Sequence, residues 1–218
     1  GGIDKVELRD GKIEMGSNCR LQNDITTGDE ETILNNIKIT SDNGIYNGHR
    51  GFGFWGQQNV TIDNCTFEYG KYGLNANNTY WGSSLTVSGS DFINNQTGLY
   101  VYDKGVHLSY CEFTNNNTAL DCEAMSFGSD IEYTDIKYNE YGIDFQGSRT
   151  ADLYIDHCYL FDNSMDGVET TGDFGINLNC TYINNNRYGI YTHQGTSVLI
   201  GNNAGNDLSD NDRTIFCI

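Results

Sequence analysis

A unit of alternating apolar and polar residues returns seven times along this chain. It reads TILNNIKI (32–39), VTIDNCTF (60–67), LTVSGSDF (85–92), VHLSYCEF (106–113), SDIEYTDI (129–136), LYIDHCYL (153–160) and INLNCTYI (176–183). Each copy is followed by a small residue and an aliphatic one: Gly44-Ile45, Gly73-Leu74, Gly98-Leu99, Ala119-Leu120, Gly142-Ile143, Gly167-Val168 and Gly189-Ile190. Alternation with a period of two is the mark of strands, and no stretch carries a helical period. A repeat of roughly 23 residues holds two or three short strands, which cannot bury an apolar face alone. Stacking solves this: each coil sits about 4.8 Å above the last, and equivalent residues form ladders.

Two ladders can be read directly. Third from the end of each unit lie Cys65, Ser90, Cys111, Thr134, Cys158 and Thr181, a layer of small inward residues. The three cysteines there are expected to be buried free thiols, because free Cys packs as a small hydrophobe. Cys122 is expected inward on the following strand, while Cys19, Cys180 and Cys217 are not placed by the repeat. Seven cysteines cannot all pair internally, and no CxxC or other zinc spacing is present. The second ladder is Asn95, Asn116, Asn139, Asn163 and Asn186, with Gly70 and Asp42 in the same slot of earlier coils. These residue types suit a sharp left-handed bend, and stacked amides can bond along the ladder. The sequons at Asn95 and Asn116 are therefore poor glycosylation acceptors; Asn77 is the better candidate.

The expected fold is all-β: a single-stranded, right-handed parallel β-helix of about seven coils of ~23 residues, with Asn and Cys/Ser/Thr ladders. Handedness follows from the rule for parallel crossovers. Residues 1–31 are expected to form an irregular first coil or N-terminal cap, using KVEL, KIEM and CRLQ as strands, and residues 32–218 the repeats. The Gly-Gly start and the strand-like end RTIFCI look like cuts through a longer protein, so neighbouring domains of the same chain are expected partners.

Composition narrows the function. Thirty acidic residues against twelve Lys and Arg give a formal net charge of −18. Such a surface repels phosphate backbones, which argues against nucleic-acid binding, and it attracts cations such as calcium. No apolar run is long enough to span a bilayer, so no membrane insertion is expected, and no secretion signal is visible.

The unit "apolar-x-I-D-N-C-x-F … N-x-x-x-G-I" resembles the parallel β-helix repeat shared by pectin-lyase-like enzymes, carbohydrate-binding and sugar-hydrolase β-helices, phage tailspikes and bacterial adhesins. The resemblance covers residues 32 to 200 and implies fold rather than activity, because the repeat is architectural. LYIDHC (153–158) also resembles the W-I-D-H motif of pectate lyases. That likeness implies a calcium and substrate region at Asp156 and His157, with Asp166-Gly167 following. However, TIDNC (61–65) fills the same slot in another coil. The lyases' catalytic arginine lies in a Pro-containing motif, and this chain has no Pro.

The residue after each Gly-Ile step should face outward. Those residues are Tyr46, Asn75, Tyr100, Asp121, Asp144, Glu169 and Tyr191; two positions on lie Asn77, Tyr102, Glu123, Gln146, Thr171 and His193. The surface strip thus has an acidic centre with aromatic rings at either side. Carboxylates about 5 Å apart repel by about 1 kcal/mol in water and about 3 kcal/mol at an effective dielectric of 20. Three readings follow: a solvated acidic face, a calcium site at Asp121, Asp144 and Glu169, or a glycan-binding strip of Tyr100, Tyr102, Asp121, Glu123, Asp144, Glu169, Tyr191 and His193. Catalysis by Asp121, Asp144 or Glu169 belongs to the third, since paired carboxylates at such spacings serve glycoside hydrolysis. The leading expectation is a secreted or cell-surface module acting as a stalk or adhesive surface, touching a polysaccharide or cell-surface glycan. The alternative is a polysaccharide-active lyase or hydrolase.

Overall fold

The computed structural model describes residues 5–15, 21–24, 30–41, 51–55, 58–77, 84–148, 151–193, 195–200 and 205–217. They form a parallel β-helix, right-handed as parallel crossovers require. A typical coil contributes three strands, such as Gly105–Ser109, Glu112–Thr114 and Thr118–Met125. The first two strands of every coil belong to a 15-stranded sheet, and the third belongs to a nine-stranded sheet. Every pairing is parallel and joins equivalent residues of neighbouring coils, as in Val106↔Leu85 and Leu108↔Ile131.

The seven expected coils are present, and the ladders continue beyond them at both ends. Lys5–Met15 contains both KVEL and KIEM as one kinked strand, which pairs residue for residue with Glu30–Ser41. At the other end, Ser197–Ile200 and Arg213–Cys217 add one more level. Asp42 and the Gly44-Ile45 step lie outside the described residues. The step of that coil is Gly51-Phe52, because Phe52 pairs with Leu74 and Gly53 with Asn75. Gly51 is needed there: its φ is 100°, and an added Cβ would lie 2.1 Å from the Tyr72 carbonyl oxygen. Tyr46 also lies outside the described residues; the residue paired with Asn75 in this ladder is Gly53.

Inward side chains stack in columns. Phe67, Phe92 and Phe113 lie face to face at 5.0 and 4.5 Å, and each is fully buried. Burying each such side chain contributes about 1.5–3 kcal/mol. At Gly142 the coils approach closely, since a Cβ there would lie 2.3 Å from the Gly167 carbonyl oxygen, whereas the coil before it carries a buried Ala119 in this slot.

The corners follow a rule finer than the sequence suggested. The left-handed residue is the one before each ladder asparagine: Asn94, Asn115, Tyr138, Asp162 and Asn185, at φ 55° to 58°. The ladder asparagines themselves are buried and bond upward and inward. Asn116 Oδ1 accepts from the Asn95 backbone N–H at 2.9 Å and from its side-chain amide at 3.1 Å, while Asn116 Nδ2 donates to the Phe92 carbonyl at 2.9 Å. The pattern runs on to Asn211, which accepts from the Asn186 N–H at 2.9 Å, so Asn186 is not the last rung.

The Cys/Ser/Thr ladder holds as expected. Cys65, Cys111, Cys122 and Cys158 are buried free thiols. Burial pushes the Cys111 thiol up to about 11 and the Cys158 thiol up to about 12. Ser90 and Thr134 use the same geometry with stronger donors. Each hydroxyl donates to the carbonyl two residues back, at 2.7 and 2.8 Å, and accepts from the N–H of Cys65 and Cys111 respectively.

Candidate functional site

The outward face of the nine-stranded sheet carries the predicted strip. Its central column is continuous: Asn75, Tyr100, Asp121, Asp144, Glu169 and Tyr191 pair in sequence, and Phe216 follows. Strand alternation turns these side chains out while Val101, Cys122 and Phe145 point in. The second column is broken. Asn77, Tyr102 and Glu123 pair in order, but the register shifts between Cys122 and Met125, where Ala124 is left-handed at φ 53°. The expected Glu123-to-Gln146 step is therefore absent from the pairing, and Gln146↔Thr171 resumes it one coil later.

A third column lies on the other side of the strip in two runs: Tyr72, Thr97, Thr118 and Tyr141, then Asp166, Tyr188 and Arg213. Only Thr97↔Thr118↔Tyr141 and Asp166↔Tyr188 need concern the chemistry. Asp166 entered the sequence reading only through the lyase likeness, beside Asp156 and His157, and not as a member of the acidic strip. Its position three residues before the outward residue of its coil, where the previous coil has Tyr141, is the signal that could have found it.

The electrostatics are those of crowded, shielded acids. Burial first, then the charges of Asp144 and Glu123, push the Asp121 carboxyl up to about 7. Burial and Glu169 push Asp144 up to about 6, opposed by a hydrogen bond from Gln146 and by His193. Burial and Glu169 also carry Asp166 up to about 7, with Arg187 pulling the other way. Glu169 accepts from or faces His193, whose Nε2 lies 3.2 Å from Oε1. The Tyr100 hydroxyl donates to Glu123 at 2.9 Å, and burial together with that bond raises its pKa. Asn75 Oδ1, Asp121 Oδ1 and Asp166 Oδ1 are shielded and have no hydrogen-bond partner. Shielded oxygens without partners cost free energy that a donor or cation would recover.

Aromatic rings bracket the acids. Tyr72 and Tyr100 lie 5.4 Å apart on one side. On the other, Tyr191 stacks on Phe216 at 5.5 Å and meets Tyr188 at 5.2 Å and His193 at 4.9 Å. Tyr100 and Tyr191 are four levels apart, about 19 Å along the axis. The structure thus brings together Tyr100, Tyr102, Asp121, Glu123, Asp144, Glu169, Tyr191 and His193 on one face. A depression lies on the 15-stranded sheet, beside Asp130, Glu132, Tyr154 and Asp156. The calcium expectation rests on Asp121, Asp144 and Glu169, which stand on three successive levels, so that Asp121 and Glu169 are about 9.6 Å apart along the axis; Asp121 Oδ1 has no hydrogen-bond partner.

Asp156 and His157, the residues of the lyase-like motif, are on a different face. They sit at a corner of the 15-stranded sheet, and Asp156 pairs with Glu132 and Asn179. They share no column with the acidic strip.

A repeat solenoid with one acidic, ring-bordered sheet face defines the class of protein. The chain belongs to the right-handed β-helix family: the model described as "Right handed beta helix region" matches residues 5–128. Comparison with curated proteins and with solved structures gave no match. The matched stretch ends before Asp144 and Glu169, but the central column runs through them without a break.

Proposed function

We propose that this chain is a glycan-contacting module of a secreted or cell-surface protein, binding a polysaccharide along the outward face of the nine-stranded sheet. The observation that carries the reading is the order of the central column, ring, acids, ring, with partnerless oxygens among the acids. Tyr100 and Tyr191 would stack on sugar rings, since aromatic faces suit the apolar faces of pyranoses. Asp121, Asp144, Glu169 and Glu123 would accept hydrogen bonds from sugar hydroxyls, charge-assisted and therefore stronger than neutral ones. A neutral or cationic glycan fits this acidic face better than an acidic one, unless calcium bridges the charges.

Titration calorimetry with a panel of neutral and acidic polysaccharides, each with calcium and with EDTA, tests this. Binding should be weakened about tenfold or more by Tyr100→Ala and by Tyr191→Ala, as expected for the loss of a stacking anchor. No binding across the panel would remove the reading.

One observation favours a second function, polysaccharide cleavage. Asp121, Asp144 and Asp166 are held up to about 6–7, the range in which a carboxyl can deliver a proton at neutral pH. Turnover of a bound polysaccharide that disappears in Asp144→Asn would establish the enzyme in place of the passive module.

A further inference from the structure

We propose that the corner formed by Asp156, His157 and Cys180 is a binding site for zinc or a similar borderline-soft divalent cation, separate from the acidic strip. One oxygen of Asp156, one ring nitrogen of His157 and the sulfur of Cys180 all lie within 4.8 Å of one another. Carboxylate, imidazole and thiolate are the donor types zinc takes, at about 2.0–2.3 Å. Tetrahedral geometry with such bonds sets donor atoms about 3.3–3.6 Å apart. A modest rotation of side chains at an exposed corner closes the remaining gap.

The fold explains why these three residues meet. His157 and Cys180 occupy the same corner slot in successive coils, at φ 53° and 47°. The His157 N–H donates to the Asn179 carbonyl at 3.0 Å, seating one corner on the next. Earlier coils fill this slot with Asn64, Gly89, Tyr110 and Tyr133, each left-handed at φ 48° to 56°. Here the slot holds two metal-ligating side chains instead. Tyr133 stacks on the His157 ring at 4.9 Å, and Tyr110 stacks on Tyr133 at 5.0 Å, which fixes the imidazole plane. Asp156 is also held: its Oδ1 accepts from Asn179 Nδ2 at 2.6 Å and lies 2.8 Å from His157 Nδ1. Oriented ligands with supporting hydrogen bonds are what metal sites need.

Charge favours the cation as well. Glu132 neighbours Asp156 in the ladder, and the chain carries a formal net charge of −18. On binding, Cys180 loses its thiol proton to solvent, His157 ligates as neutral imidazole, and Asp156 as carboxylate. Three protein ligands leave a fourth position for water. Affinity accordingly falls as acid protonates the ligands.

The test uses the whole chain and the metal alone. Cobalt(II) should bind once per chain, give a thiolate-to-cobalt charge-transfer band and tetrahedral visible bands, and be displaced by zinc. Cys180→Ser should abolish the charge-transfer band, and His157→Gln should weaken zinc binding roughly tenfold or more. A Cys19→Ser, Cys217→Ser double variant should keep both signals. Zinc should also slow the alkylation of Cys180 by iodoacetamide in the unmodified chain, a readout that needs no variant. Absence of the thiolate band, its persistence in Cys180→Ser, or an alkylation rate indifferent to zinc would each overturn the proposal.

Discussion

Asn139 shows how much one side chain does in this fold. Its Oδ1 accepts from the Asn116 N–H at 2.8 Å and from the Asn116 amide at 3.0 Å. Its Nδ2 donates to the Phe113 and Lys137 carbonyls at 3.1 and 3.0 Å, and to Asn163 Oδ1 at 3.0 Å. Asn139→Ala would take this partner from the Asn116 N–H and from the Phe113 and Lys137 carbonyls, while Asn163 Oδ1 keeps the Asn139 backbone N–H; each orphaned group costs about 1–3 kcal/mol. The net loss should be about 2–4 kcal/mol in urea denaturation. Asn139→Gln should not restore it, because a longer side chain misplaces both ends of the amide. The ladder itself was legible from the sequence, because only Asn recurs in that slot. The left-handed residue before it was not, because Tyr138 and Asp162 share no side-chain property that marks the bend.

Elements are joined here by register, and register is what concentrates the acids. The nine-stranded sheet sets Asp121 against Asp144 and Asp144 against Glu169. The raised carboxyls then make stability depend on pH. Below about pH 4, Asp121, Asp144 and Asp166 are protonated in both the folded and unfolded chain and contribute no difference. From about 4 to 7 the folded chain retains protons that the unfolded chain has released, so stability falls as pH rises. Above about 7 the penalty is complete. An Asp121→Asn, Asp144→Asn variant should therefore lose less melting temperature than the parent between pH 5 and pH 8, and should be the more stable chain at pH 8. Equal slopes for the two would refute this account. Calcium acts in the opposite direction: if it binds the strip, millimolar Ca²⁺ should raise the parent's melting temperature at pH 8. Alternation predicted which residues face outward, but not the bulge after Cys122, since Ala124 carries no local signal for a left-handed turn.

At the scale of the molecule, stability is close to one-dimensional. Each coil touches only its neighbours, so central coils are held from both sides and terminal coils from one. The inward columns loosen along the chain: Ile200 pairs with Leu178 and Ile215 with Ile190, yet Ile200 and Ile215 are each 40% exposed while their partners are buried. Amide hydrogen exchange should be slowest in the coils between residues 105 and 172 and fastest in 197–217. Uniform protection along the chain would show instead that the coils unfold as one unit. The sequence by itself determined the solenoid, its coil length, its inward ladders and the outward acidic strip. All of these repeat at a period the chain displays, and each repeat faces the same neighbours. Only the tertiary structure decided what depends on level-to-level geometry. It made Gly51-Phe52 a coil step, added Asp166 to the acidic face, and put Cys180 beside His157. Residues a full coil apart meet only after every intervening turn has been closed, and their side-chain chemistry does not repeat with the period that brings them together.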